Sequence, residues 1–586
     1  MRKQMGSVPL AIESTRLITV LAEDPTVLGS TGKPLMTRVR IPNETLLPGP
    51  RGSRIEVIDY DATTGHFYTP ADINQNIDLL AAAKSASQIE KDPRMHAQHV
   101  YGVAAATLFE FEKALGRSLS WGFAGRSHQL KIAPHAFQEA NAFYSREDEA
   151  LLFGYFTDIR KKSGTVFTCL SHDIVAHEVT HALLDGLRDQ LMRPSHPQQA
   201  AFHEGYADIV ALLSILRSDH LIQYALENQK LAKNPAQRID IDKTLQAISS
   251  GSILTGLARQ MGNALSESIR RDALRRSLED IKPDPKLLEQ NEEPHDLGEI
   301  LVAIVMHAYL EVWAARLNGK FKLTEALATR RVEAWRVAEE GAKAAQHLLT
   351  MVIRAIDYLP CVHLTFADFL KALITSDWQT CGDDSNYHYR MILRAAFAKF
   401  GIIANEKTNT GEAGTYDYFD KTLQYGHGNS ESLRWDRDGM FRFIWQNRVT
   451  LGLNADAYTR VNSVRSVWRV APHGQIIRET VAEFYQLIKQ ADLGTLQTLG
   501  IPKPRFINAK HRFDLVGGGT LVFDEFGALK FYIPNHLDSK KQKARLEYLS
   551  QQNALTLEDA PDHAFALSHR HRAGKQAINN PKQGDF

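Results

Sequence analysis

Cysteine is scarce: Cys169, Cys361 and Cys381 are the only three in 586 residues. Three thiols cannot all pair within one chain, and a chain of this length can bury enough apolar surface to fold without cross-links. A reducing, cytoplasmic setting is therefore expected. Long apolar runs are also missing. No stretch supplies the roughly 20 uninterrupted apolar residues of a membrane span; residues 300–310 contain His307 and follow Glu299. Met1, Arg2, Lys3, Gln4 and Met5 lead into Gly6, Ser7, Val8 and Pro9, and the apolar run 17–22 is short and flanked by Arg16 and Glu23. No signal peptide is expected from that pattern. Neither sign of charge dominates. A net charge of +1, with the signs mixed along the chain, argues against a nucleic-acid partner, and no feature points to a membrane or sets an oligomeric state.

What the chain does contain is His177-Glu178-Val179-Thr180-His181, an HExxH motif. On a helix, residues four apart share a face, so His177 and His181 can reach one metal ion with Glu178 beside them. Residues 171–187 carry Ile174, Val175, Val179, Ala182, Leu183 and Leu187 at helical spacing, which predicts a buried helix under the motif. A catalytic zinc site needs a third protein ligand and one open position. Glu204, in His203-Glu204-Gly205-Tyr206-Ala207-Asp208 on a second amphipathic stretch, 200–216, completes a His2Glu set. Asp208, one turn further on, is placed to accept a hydrogen bond from the non-ligating nitrogen of a zinc histidine. The competing reading is a pair of ordinary helices with core histidines; the combined pattern favours metal.

Residues 171–185, followed by the HEGYAD segment, resemble the thermolysin family of gluzincin metallopeptidases. The resemblance implies an α+β fold of two lobes, a mixed N-lobe and a helical C-lobe, with zinc in the cleft between them. Asn141-Ala142-Phe143-Tyr144 is similar to the family's Asn-Ala-Phe-Trp segment. That likeness implies that the Asn141 side chain and the Ala142 carbonyl bind substrate backbone, the peptide adding as an extra strand. Pro294-His295-Asp296-Leu297-Gly298 opens a long apolar helix expected to run to about Trp313. By the same resemblance His295 donates a hydrogen bond to the oxyanion, with Glu292 or Glu293 as orienting partner, and Arg259 is the candidate substrate-binding arginine. The chain departs from the family in three ways. Its stretch between Glu204 and His295 is long, and no tyrosine lies between His181 and His203. Asp173 matches one family calcium ligand, but Ser214, Ile215 and Leu216 stand where its acidic partner belongs. Calcium needs six or more oxygen ligands, so no calcium site is expected.

The length suggests two to four units: an N-terminal extension at 1–50, an N-lobe with the edge strand and the HExxH helix at 51–180, a mainly helical C-lobe at 181–404, and an added α+β unit at 405–586. Within these, residues 55–61 suggest a strand and 323–356 a long helical stretch, and 365–373 and 389–397 resemble the family's closing helices. Later segments, 440–445, 466–470 and 520–533, alternate like strands, the last as a hairpin turning near 525–527. Gly517-Gly518-Gly519 lacks the Lys-Ser/Thr of a phosphate loop and reads as a turn, as does His427-Gly428-Asn429-Ser430. The His- and Arg-rich tail at 568–572 reads as a solvated end.

The expected function is zinc-dependent endopeptidase activity on peptide or protein substrates, with Glu178 as general base toward a zinc-activated water and His295 helping to hold the oxyanion. Ile174, Val175 and the resemblance favour cleavage beside a hydrophobic residue on the amino side of the bond. The Gly-x-Met-Glu-Asn segment of the aminopeptidase branch is absent. Two alternatives remain open: a zinc-binding interaction protein with weakened or lost peptidase activity, and a peptidase effector exported without a signal peptide.

Overall fold

The computed structural model describes residues 15–29, 32–74, 77–123, 128–157, 164–193, 195, 197–254, 281–291, 293–321, 331–426, 432–470, 474–556. The start of the chain, Arg259, Glu292, the 427–430 segment and the 568–572 tail lie outside them. The architecture is mixed α+β. Strands Thr15–Leu21 and Met36–Pro42 pair antiparallel, with Thr15 opposite Pro42. Alternation buries Ile18, Val20, Val39 and Ile41 on one face, as a half-buried hairpin requires. That face lies on the helix Pro93–Leu115, where the Leu21 amide donates to His99 Nδ1 at 3.2 Å and Gln98 Nε2 to the Thr19 carbonyl at 2.9 Å. The helix starts sharply because Asp92 caps it and Pro93 takes the first turn; Gly116, in the left-handed region, ends it.

The main sheet has the order Ile55–Val57, Leu130–Phe137, Ala150–Thr157, Ala142–Ser145, and Thr165–Phe167 also pairs with the third of these. The expected strand at 55–61 breaks after Val57, and Tyr60–Asp61 pairs with His66–Phe67 instead. Ala142–Ser145 is antiparallel to one neighbour only, which makes it an edge.

The helical part comprises His172–Leu187, Pro197–Leu216, Pro294–Phe321, Ala334–Ala355, Phe366–Thr380 and Tyr389–Ala398, among shorter elements. The apolar helix runs two turns past Trp313, to Phe321. Its Asp296–Gly319 portion has the length and apolarity to cross a membrane, beyond what residues 300–310 suggested, but 78% of its apolar window is buried within the protein. Of the helical stretch expected at 323–356, residues 323–330 lie outside the described ones and the helix Ala334–Ala355 is present. Before it, Arg331–Glu333 forms a short strand with Arg238–Asp240, Val332 opposite Ile239; the exposed–buried alternation at 331–333 favours pairing over helix.

Strands Tyr458–Val470, Ile476–Ala491, Phe513–Phe523 and Leu529–Asn535 form an antiparallel meander. Two expectations fail in this region. Residues 440–445 lie in the helix Arg437–Gln446, capped by Asp436; Met440, Phe443 and Ile444 are its buried residues, a spacing of three and four that a strand cannot bury on one face. Gly517, Gly518 and Gly519 lie inside the buried strand Phe513–Phe523 and not in a turn. A Cβ on Gly518 would fall 2.4 Å from the Phe484 carbonyl oxygen, and one on Gly519 2.8 Å from the Tyr532 ring, so glycine admits the neighbouring strands at this distance.

The meander shares its core with the rest of the molecule: Val522, Phe531 and Ile533 join the apolar cluster that begins at Ile18. Buried charges fasten it further. Arg117 bonds both oxygens of Asp357 at 2.7 Å, and Arg469 bonds Asp357 and Glu479. Arg188, at the end of the HExxH helix, reaches Thr520 Oγ1 at 3.1 Å and Glu483 at 3.3 Å. Each of these arginines is buried or nearly so, and removing one member of such a set costs about 3–5 kcal/mol through the charge left behind.

Candidate metal centre

The HExxH helix, His172–Leu187, buries Val175, Val179, Ala182 and Leu183. That face is fixed against the core, so His177 and His181 emerge together on the other side of the turn. Glu204 arrives from Pro197–Leu216, which packs against the HExxH helix. Its position depends on a close helix crossing. A Cβ on Gly205 would stand 2.7 Å from the Gly298 carbonyl oxygen, so the paired glycines let the helix Pro294–Phe321 approach beside Glu204.

The three side chains converge, with one ligand atom from each of His177, His181 and Glu204 lying within 4.8 Å of the others. The two Nε2 atoms are 2.8 Å apart, and His177 Nε2 is 3.8 Å from Glu204 Oε2. His177 Nδ1 stands 2.8 Å from Asp208 Oδ1; donating its hydrogen there, it turns the Nε2 lone pair toward His181. Two imidazole nitrogens and a carboxylate oxygen are the donor set of an open zinc site. The charge balance fits a cation as well. Burial opposes a proton on His177, yet the attraction and hydrogen bond of Asp208, with Glu178 and Glu204, raise its pKa to about 9.

Glu178 is buried, and its Oε2 accepts the Tyr144 amide at 3.0 Å. The sheet edge thus holds the carboxylate beside the metal ligands. In an antiparallel strand the amide and carbonyl of alternate residues face the same way, so the parity that turns the Tyr144 amide outward turns the Ala142 carbonyl outward too. Asn141 is buried, its Oδ1 accepting the Ala142 amide at 2.9 Å. Its side chain therefore folds back onto its own strand.

His295 is the second residue of Pro294–Phe321, one turn before Gly298; its side chain, like Arg259 and Glu292, lies outside the described residues. Glu293 accepts the Asp296 amide at 3.0 Å, which makes it a helix-start cap. Asp173 accepts the Ile174 amide at 2.7 Å and the Ser171 hydroxyl.

Two contributors were not singled out from the sequence. The His203 ring stacks on His181 with centroids 4.8 Å apart and 19° between planes, confining that imidazole. Asp185, buried one turn after His181, accepts the Tyr144 hydroxyl at 2.7 Å and pairs with Arg146 at 3.3 Å, locking the edge strand to the HExxH helix. Asp185 sits four residues beyond His181, and that spacing was the available signal. No protein-family model, curated protein or solved structure matches this chain.

Proposed function

We propose that the protein is a zinc-dependent endopeptidase of the thermolysin-like gluzincin type, with its metal in a cleft between a mixed lobe and a helical lobe. The observation that carries this reading is the convergence of His177, His181 and Glu204 beside a non-ligating carboxylate, Glu178, tethered to a sheet edge. Zinc bound there would polarise a carbonyl oxygen and lower the pKa of water at the site.

The chain's own groups do the rest. An extended peptide adds to the edge strand Ala142–Ser145, pairing with the outward Ala142 carbonyl. Glu178 takes the proton of the attacking water and passes it to the departing amine. Asp208 holds His177 in one tautomer through both steps. His295 takes its role as donor to the oxyanion from the resemblance of Pro294-His295-Asp296-Leu297-Gly298 to the family.

Glu178→Gln tests the assignment. The variant should keep the metal content of the unaltered protein by elemental analysis and lose at least about a hundredfold in cleavage of a peptide library. Undiminished cleavage would refute the role of Glu178, and loss of metal would make it a ligand instead.

A further inference from the structure

A second cluster of metal-binding side chains lies outside the cleft. His96 comes from the helix Pro93–Leu115, His135 from the strand Leu130–Phe137, and Cys169 from the turn Thr168–Leu170 ahead of the HExxH helix. All three are buried, and one ligand atom of each lies within 4.8 Å of the others.

Hydrogen accounting shows why this is more than a packed core. His135 Nδ1 stands 2.8 and 3.0 Å from the two Asp59 oxygens, and a carboxylate accepts, so Nδ1 carries hydrogen. His96 Nε2 stands 2.9 Å from the Ile89 carbonyl, which can only accept, so that nitrogen also carries hydrogen. The two nitrogens left over, His96 Nδ1 and His135 Nε2, face each other at 2.8 Å. In neutral rings both present lone pairs, and two lone pairs at this distance repel. A hydrogen or a metal ion must sit between them.

The sulfur points to the metal. Cys169 Sγ lies 3.8 Å from His96 Nδ1. A tetrahedral zinc ion, at about 2.1 Å from nitrogen and about 2.3 Å from sulfur, holds such atoms roughly 3.3–3.6 Å apart. The imidazole nitrogens stand closer than that, at 2.8 Å, so the rings part by roughly half an ångström to admit the ion. Charge closes as well: a divalent ion, a Cys169 thiolate and the Asp59 carboxylate sum to zero, which a sealed interior tolerates where a lone ion is costly.

We propose that His96, His135 and Cys169 supply three of the four ligands of a second, buried zinc ion that braces the fold, with Asp59 orienting His135. The ion ties the first long helix and the main sheet to the chain that leads into the HExxH helix, since Cys169 precedes His172 by three residues. This site does not depend on the peptidase reading, because none of its residues belongs to the cleft.

The test uses the full chain, stripped of metal and reloaded with zinc or cobalt(II) alone. Two metal ions per chain are expected, with X-ray absorption of the zinc protein showing a sulfur neighbour at about 2.3 Å. The cobalt protein should show a thiolate charge-transfer band that persists in His177→Ala and vanishes in Cys169→Ser. One ion per chain with only nitrogen and oxygen neighbours would overturn the proposal and assign the contact to a proton held by the Asp59–His135–His96 chain. A sulfur signal surviving in Cys169→Ser would overturn it too, because the sulfur would come from Cys361 or Cys381. Should Cys169→Ser fail to fold, the ion count and the sulfur shell of the unaltered protein still decide. Failure of the cleft reading shows separately, as absent peptide cleavage with the sulfur shell intact.

Discussion

His177 and His181 face each other across 2.8 Å, and so do His96 and His135. One carboxylate orients each pair, Asp208 in the first and Asp59 in the second. Their surroundings differ. The Asp208 side chain is 30% exposed and the Asp59 side chain 7%. The first pair has Glu204 as third donor and Glu178 alongside; the second has a sulfur and is closed in by Tyr68 and Phe167. The same imidazole geometry therefore supports two kinds of site. The proposed hydrolytic role draws on the more open setting and the carboxylate beside the first pair, and the proposed bracing role on the sealed setting and the sulfur beside the second.

The strongest way to break this comparison is Glu204→Ala. With one of three ligands gone, the cleft ion should be lost and peptide cleavage should fall to background, while the cobalt–thiolate band of the buried cluster stays. If both metals left together, the sites would not be independent. Next come the two orienting carboxylates. Asp208→Asn should weaken zinc at the cleft, and Asp59→Asn zinc at the buried cluster, each by about 10- to 100-fold. Chelator competition read at each site would show any crossover, and a crossed effect would contradict the pairing described above. The smallest effect is graded. With its pKa near 9, His177 in the metal-free protein holds a proton at neutral pH, and zinc must displace it. Affinity at the cleft should therefore fall about tenfold for each pH unit below 9. A flat titration between pH 9 and pH 7 would refute the Asp208–His177 coupling.

The convergence of His177, His181 and Glu204 was legible because its parts are local. His177, Glu178 and His181 fall within five residues, and Glu204 and Asp208 within another five, each set on a helix whose period the apolar residues announce. The buried cluster was not legible. His96, His135 and Cys169 belong to three different elements, and nothing in their sequence spacing anticipates that a helix, a strand and a turn bring them together. The C-terminal half misled for related reasons. Three successive glycines look like a turn until two flanking strands are seen to need the space they leave, and residues 440–445 look alternating until Asp436 is recognised as a helix cap. The mixed α+β class was readable, but the docking of the meander rests on pairs such as Arg188–Thr520, 332 residues apart, which no local pattern discloses.

Arg188 gives that docking a consequence for folding. It closes the HExxH helix, and Thr520, one of its partners, lies 332 residues later in the chain. Its other partners, the Ile356 carbonyl and Glu483, also come later in the chain than the helix they secure. The contacts that bury this guanidinium are therefore complete only when the meander has folded against the end of the helix.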